Sequence, residues 1–384
     1  MTGKTNIPLL LFQDDVVKFD KSPTDLQTSN IILESFQNEN RMEFHPTKTM
    51  VMTNNPDPPK IILNNLIVPV TNEYKYLGDL IKIDNNLQPL IWERKNIITG
   101  TVTELMNILS QTRQYSIIAA IQYHEGIIIP KLLLNSETWP KITQQDYLQL
   151  EQIQSQTIKR LLRLPYSTPT RGLLSELGIM SVENQITKKQ LMFLHRIMNK
   201  PDKTLSKSIM LEQQNLPGNN WLKNVLNSMK DLKINESIKD LTEITKPKWK
   251  KVIEEALKKK EQEEFEEWKK NSKKCEHMKN IQKKNYLIQL APDIAKIILE
   301  IRLGMLDVKE NFHGKHKDNI CRNCEKEKET SEHFIKCLTS LENEGPEQHF
   351  NEIWELKNIQ HLEEIGTHIL NLMENNPHFE YKMI

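Results

Sequence analysis

The N-terminal fold is decided by the stretch Leu9–Phe19, LLLFQDDVVKF. Two apolar runs, Leu9–Phe12 and Val16–Phe19, flank a short polar segment. Apolar runs on either side of a polar segment are typical of two strands and the tight turn that joins them. The sequence therefore predicts a β-hairpin that carries Asp14 and Asp15 at its turn.

Outward from this hairpin, the pattern is first β-rich and then helical. A helical segment runs through Ile31–Phe36, and strand-like runs follow at 49–52, 61–63, 66–70 and 74–78. Beyond about residue 83 the apolar residues recur at helical spacing, and Thr143 with Asp146 resembles a helix-capping pair. We therefore expect a mainly α protein with a small N-terminal α+β piece.

Composition excludes some classes of protein. The chain has 384 residues, enough for about two or three domains. Its mean hydropathy of −0.58 and lack of a long uncharged apolar run exclude a membrane span, and the N-terminus does not resemble a secretory signal. A net charge of +1 favours no class of partner. Four cysteines, three of them clustered, fit a reducing compartment and a metal site better than a disulfide framework.

The most charged segment, 246–284, has two interpretations. Clusters of lysine alternate with pairs of glutamate. This pattern is typical of solvated helices stabilised by i,i+4 pairs, and that interpretation is favoured. The alternative is contact with a nucleic-acid backbone through one face only, because the glutamates would repel phosphate.

The cysteine cluster has the spacing of a metal site. Cys321, Cys324, His333 and Cys337 form a C-x2-C-x8-H-x3-C pattern. Two cysteines flanking two residues can bind one ion from a turn, and a His and a Cys four positions apart share a helix face. We predict a closed, structural Zn²⁺ site; the alternative is a chance cluster of free thiols. Cys275 lies apart and is expected to be a free thiol.

The role of this zinc module has two alternatives as well. Basic residues surround the predicted site, which slightly favours a role in binding nucleic acid. They are Lys315, Lys317, Arg322, Lys326 and Lys328. The alternative is a fold-stabilising element that contacts nothing else.

Adjacent aspartates at a turn can also bind metal. Two neighbouring carboxylates repel each other, and a divalent cation compensates for that repulsion. Phosphoryl transfer uses such a cation to activate the attacking hydroxyl and to neutralise the leaving group. An Asp-Asp pair alone is weak evidence, because such pairs are common in solvated turns.

The context of Asp14 and Asp15 resembles the reverse transcriptases of non-LTR (LINE-type) retrotransposons. Phe12–Asp15 is similar to their F/Y-x-D-D signature. The segment 40–49, NRMEFHPTKT, looks like the next block, written around N-P-x-K-T, with His45 where Asn is common. Tyr76, Leu77 and Gly78 resemble the primer grip. Three blocks in this order form a specific signal.

The resemblance continues towards the C-terminus. The segment 129–139, IPKLLLNSETW, is similar to P-x-L-L-Y-G-S-E-x-W, with Leu134 for Tyr and Asn135 for Gly. LPYSTP at 164–169 and LSELG at 174–178 match the family's linker. Arg302-Leu303-Gly304 resembles the R-x-G stretch before the family's metal module, and ETSEH at 329–333 resembles its E-T-x-E-H run. The middle of the chain, 213–286, is less similar.

This resemblance implies an RNA-directed DNA polymerase, acting inside the cell in nucleus and cytoplasm, with an RNA template and a DNA primer or target as partners. It implies Mg²⁺ bound by Asp14, supported by Asp15, and a proton-transfer role for Lys48; an ordinary strand-edge lysine is an equal alternative for Lys48. It also implies five segments. They are a partial polymerase palm (1–85), a helical thumb (86–165), a helical linker (166–310), a CCHC zinc module (311–340) and C-terminal helices (341–384).

The implied active site is incomplete. The family's other catalytic aspartate precedes the F/Y-x-D-D block, whereas no acidic residue precedes Asp14. We therefore expect the chain alone to be inactive as a polymerase. The alternatives are a non-catalytic nucleic-acid-binding protein derived from such an element and a decayed copy without activity.

Overall fold

The computed structural model describes residues 9–112, 116–272, 275, 277–278, 281–312, 318–339, 352–356 and 358–375. The chain divides into two compact units. The first comprises the chain up to Trp92, Asn135–Asp146 and Lys189–Lys251. The second comprises Glu93–Leu134, Tyr147–Lys188 and the chain from Val252 onward.

Short strands are confined to the N-terminal part of the described chain. They are β1 (Leu9–Phe12), β2 (Asp15–Lys18), β3 (Ile62–Leu63), β4 (Leu66–Ile67), β5 (Glu73–Tyr76) and β6 (Asp79–Lys82). Each consecutive pair forms its own antiparallel two-stranded sheet. The strand-like run at 49–52 forms no strand; Val51 makes only an isolated bridge to Val70.

Helices make up most of the described residues, which confirms the mainly α fold predicted from the sequence. They are α1 (Pro23–Asn40), α2 (Gln88–Thr112), α3 (Ile117–Tyr123), α4 (Ile129–Leu132), α5 (Gln144–Leu161), α6 (Thr170–Leu177), α7 (Val182–Met198), α8 (Leu205–Gln213), α9 (Trp221–Asp231), α10 (Lys246–Lys269), α11 (Tyr286–Gln289), α12 (Pro292–Arg302), α13 (Ser331–Thr339), α14 (Glu352–Glu355) and α15 (Ile359–Asn375). A π-helical turn, His124–Ile128, joins α3 to α4, and 3-10 turns lie at Ser136–Thr138, Asp240–Thr242 and Lys309–Phe312. No described helix combines the length and apolar character that a membrane crossing requires.

Helix α1 packs on the β3–β4 hairpin through Leu26 and through polar side chains. The Asn30 side chain is buried and its amide donates to the carbonyl oxygen of Ile62 at 3.0 Å. The Gln27 side chain bonds both the N–H and the C=O of the same residue. In contrast, Ile32 on this helix is 68% exposed. The helix predicted around Ile31–Phe36 is therefore present, but its largest apolar residues do not form its packed face.

The Thr143–Asp146 capping pair is present at the start of α5. The Asp146 carboxylate accepts from the backbone N–H of Thr143 at 2.8 Å, and the Asp146 N–H donates to the Thr143 hydroxyl at 3.2 Å. This reciprocal pairing satisfies N–H groups that have no partner within the helix.

Helix α10 has a buried stripe as well as solvated charges. Trp249, Ile253, Leu257 and Phe265, spaced at multiples of four, are each at most 1% exposed. Its ion pairs include Lys260 with Glu264 at i,i+4. The favoured prediction for the charged segment omitted this stripe, because the lysines and glutamates outnumber the residues that pack.

A buried ion pair connects distant parts of the second unit. Arg302 donates from Nε and Nη2 to the two carboxylate oxygens of Glu176, each at 2.8 Å. The Tyr286 hydroxyl donates to the same carboxylate, and Arg302 Nη1 donates to the carbonyl oxygens of Ile353 and Trp354. These bonds link α6, α12 and α14 to the segment at Tyr286, and they provide the partners that a buried charge requires.

Candidate metal centre

The first two cysteines lie on a tight backbone loop. Ile320 pairs with Lys328 across its base, and the Cys321 N–H donates to the Glu327 carbonyl oxygen at 2.7 Å. The Glu325 N–H returns to the Cys321 carbonyl oxygen at 3.0 Å, with Glu325 in the left-handed conformation. These backbone hydrogen bonds fix the positions of Cys321 and Cys324.

The other two candidate ligands lie on helix α13, one turn apart. The Thr330 hydroxyl caps its N-terminus by accepting from the His333 N–H at 2.9 Å. His333 and Cys337, at i and i+4, then share one face of the helix. The side chain of the adjacent Phe334 is buried, with 1% of its surface exposed.

The four candidate ligand atoms converge within 4.8 Å of one another. The sulfurs of Cys321 and Cys337 are 3.9 Å apart, and the Cys324 sulfur is 3.4 Å from His333 Nε2. A tetrahedral zinc ion with ordinary bond lengths would separate two sulfurs by about 3.8 Å, and a sulfur from a nitrogen by about 3.5 Å. The cluster can therefore hold a metal ion, and both its geometry and its soft ligands are compatible with zinc.

Their surroundings shift the pKa values of the Cys324 and Cys337 thiols in opposite directions. Backbone N–H groups of Glu327 and Lys326 donate to the Cys324 sulfur and lower the pKa of that thiol to about 6. Burial raises the pKa of the Cys337 thiol to about 11, although the Asn323 amide donates to its sulfur at 3.2 Å. A bound cation would favour both thiolates, because metal binding displaces thiol protons.

A buried glutamate that sequence reasoning did not single out supports the first cysteine pair. Glu329 is 1% exposed and accepts from the backbone N–H of Arg322, between the two cysteines, at 2.7 Å. It also accepts from the Arg322 guanidinium and from the Lys309 N–H. Burial raises the pKa of Glu329, but these hydrogen bonds outweigh it and hold the pKa below its ordinary value. Glu329 opens the E-T-x-E-H match, and that position was the only signal that could have indicated it.

The basic residues around the module are not equivalent. Arg322 is bonded to Glu329 and, through Nη2, to the Asp307 carbonyl oxygen. Lys326 and Lys328 are exposed. Lys315 and Lys317 lie outside the described residues.

The residues of the predicted polymerase blocks are accessible to solvent. Gln13 and Asp14 form the turn of the first hairpin, Asp15 is the first residue of β2, and both aspartates are exposed. Within the described chain, the only group of three or more potential metal ligands is the Cys/His cluster, so no third group joins Asp14 and Asp15. Lys48 is exposed too.

Two contacts involve these blocks. The Asn135 side-chain amide donates to the Leu77 carbonyl oxygen at 3.5 Å. The Tyr74 hydroxyl on β5 donates to the Lys48 carbonyl oxygen at 3.1 Å. Tyr76 ends β5, and Leu77 with Gly78 forms the turn to β6, both with positive φ (49° and 86°). Such a turn fits the twist of a two-residue hairpin.

Several positions that carry the resemblance have left-handed backbone. Asn135, where the family usually has Gly, has φ 59°. Gly178 and Gly304 have φ 67° and 62°. Glycine adopts this conformation without strain, and asparagine is among the residues that tolerate it best. Asn135 can therefore adopt this conformation with little strain.

No family model matches this chain, and neither a curated protein nor a solved structure is significantly similar to it.

Proposed function

We propose that the chain is the C-terminal part of a non-LTR retrotransposon reverse transcriptase, with a structural zinc module near its C-terminal end. The observation that carries this proposal is the ion pair between Glu176 and Arg302. These residues belong to two separate blocks of the resemblance, LSELG and R-L-G, yet they form a buried bidentate pair. Residues from separate blocks of a sequence pattern are expected to meet if the pattern reflects one fold.

The zinc assignment rests on ligand chemistry. Three sulfurs and one imidazole favour Zn²⁺ over Mg²⁺ or Ca²⁺, which prefer oxygen ligands. Four protein ligands leave no open position for water or substrate, so the ion stabilises the module and does not act in catalysis.

In the complete enzyme, Asp14 would bind Mg²⁺ with support from Asp15, and Lys48 would assist proton transfer to the leaving group. The partners would be an RNA template and a DNA primer. Two carboxylates at one turn are too few to hold two ions, so the chain alone is expected to bind primer–template without extending it.

A second candidate is a non-catalytic nucleic-acid-binding protein. It is favoured by the lack of any third potential ligand near Asp14 and Asp15 in the described chain. Both candidates predict nucleic-acid binding, and they differ in what a supplied N-terminal polymerase half would achieve.

The experiment measures binding of the zinc-loaded chain to a fluorescent RNA–DNA primer–template over a range of salt concentrations, and then extension with Mg²⁺ and nucleotides. We expect salt-dependent binding and no extension. Absence of binding at low salt would reject both candidates. Extension by the chain alone that Asp14→Ala abolishes would reject the predicted inactivity. Extension only when the N-terminal half is added would favour the polymerase over the binding protein.

A further inference from the structure

The two ring nitrogens of His333 face different partners. Nε2 lies 3.4 Å from the Cys324 sulfur, within the ligand cluster. Nδ1 lies 3.1 Å from a carboxylate oxygen of Glu327. A neutral imidazole carries one N–H and one lone pair, so the partner of one nitrogen determines what the other can do.

Glu327 contacts three of the four ligand residues. Its carbonyl oxygen accepts from the Cys321 N–H at 2.7 Å, and its own N–H donates to the Cys324 sulfur. Both of these contacts use the backbone, and any residue in this conformation could provide them. The contact with His333 is the one that requires the carboxylate.

We propose that Glu327 is a positioning residue that holds His333 as an Nε2 metal ligand by accepting the Nδ1–H. An ionised carboxylate accepts but does not donate, so it favours the tautomer with the proton on Nδ1 and leaves the Nε2 lone pair for the ion. It also restrains rotation of the ring, which lowers the entropy lost when the metal binds. This inference rests on the proposed zinc site.

The same loop provides a matched control. Glu325 lies two residues from Glu327 and is also exposed, and within the described residues its side chain has no hydrogen bond or ion pair. Replacing either glutamate with alanine removes one negative charge near the ion. A difference between the two variants therefore reports the hydrogen bond to Nδ1 and not the change in charge.

The experiment measures the zinc dissociation constant of the full chain by competition with a chromophoric chelator. We expect Glu327→Ala to weaken binding about tenfold, at the lower end of the range for such partners because the carboxylate is exposed. Glu325→Ala should stay close to the unmodified chain. Glu327→Gln should fall between them, because its amide oxygen still accepts a hydrogen bond without a charge.

A spectroscopic measurement separates positioning from general stability. In zinc-loaded protein with ¹⁵N-labelled histidine, His333 should carry its proton on Nδ1 and the ion on Nε2. Glu327→Ala should speed solvent exchange of that proton, and Glu325→Ala should not. Equal affinity and equal exchange in the two alanine variants would overturn the inference while the zinc site stands, as would an ion bound to Nδ1. Failure of the unmodified chain to bind zinc would reject the site itself and this inference with it.

Discussion

The hairpin Leu9–Lys18 and the candidate metal module 318–339 are both short and both carry candidate metal ligands, but these ligands are arranged in opposite ways. Asp14 and Asp15 are exposed on a two-stranded sheet, and no third ligand joins them among the described residues. The four Cys and His ligands converge within 4.8 Å. A backbone loop and one helical turn bring four potential ligands together, whereas a polymerase site needs carboxylates from distant segments.

The largest expected effect, and the most direct test of this difference, comes from removal of the metal. We expect about one zinc per purified chain and almost none in Cys324→Ser, because a closed site of this kind needs all four ligands. The described module has few buried apolar side chains, so amide hydrogen exchange across 318–339 should rise sharply when the metal is lost. Elemental analysis and hydrogen exchange measure the two effects.

The control for this prediction is Cys275→Ser. Cys275 is a buried cysteine outside the cluster, close to Gly172. This variant should retain its zinc even if its packing is weakened. Zinc retained by Cys324→Ser, or lost equally in both variants, would contradict the assignment of the ligands.

The second prediction concerns stability that depends on distant residues. Arg302→Met leaves the Glu176 carboxylate buried without its ionic partner, and we expect the free energy of unfolding to fall by about 3–5 kcal/mol. Lys260→Met removes partly exposed pairs with Glu183 and Glu264 and should change the free energy of unfolding by less than about 1 kcal/mol. Denaturant titration measures both variants. A similar loss in the two would show that Arg302 contributes no more than a surface pair.

The residues in these two predictions differ in how far the sequence alone could reveal their roles. The capping pair at Thr143, the first hairpin and the helix face shared by His333 and Cys337 depend on neighbours a few residues away, and local pattern predicts them. The Glu176–Arg302 pair joins residues 126 positions apart, and no periodicity indicates such a partner. Glu329 was recognisable only as part of a motif, because its role depends on the folded path of the loop.

The exposed apolar residues of α1 show a further limit of sequence patterns. Helical spacing indicates that Ile31, Ile32 and Phe36 lie on a helix, and they do. It does not indicate that Asn30 and Gln37 are the buried residues, because their burial depends on hydrogen bonds to the β3–β4 hairpin. Hydrophobic pattern predicts the element here, but the partner strands determine which face packs.

The third prediction tests the left-handed positions shared by the resemblance and the structure. At Gly178 an added Cβ would collide with the Lys283 nitrogen, and φ is 67°. We expect Gly178→Ala to lower the free energy of unfolding by about 1–3 kcal/mol. Gly100→Ala, in helix α2 with nothing within 4 Å of the added Cβ, should be neutral or stabilise by up to about 1 kcal/mol. Thermal unfolding measures both, and equal effects would remove the conformational argument for this glycine.

The smallest expected effect comes from the aspartates of the first hairpin. Asp14→Ala and Asp15→Ala each remove an exposed carboxylate beside another, so the stability of the chain should change by less than about 0.5 kcal/mol. Asp57→Ala, at another exposed turn, serves as the control and should behave alike in denaturant titration.

The three variants should differ only in extension assays supplied with the N-terminal polymerase half, where loss of Asp14 abolishes activity and loss of Asp57 does not. A structural role for Asp14 would instead lower stability by more than about 1 kcal/mol while leaving extension intact. The proposed metal-binding role requires that these exposed carboxylates have no effect on folding and that extension depends on them.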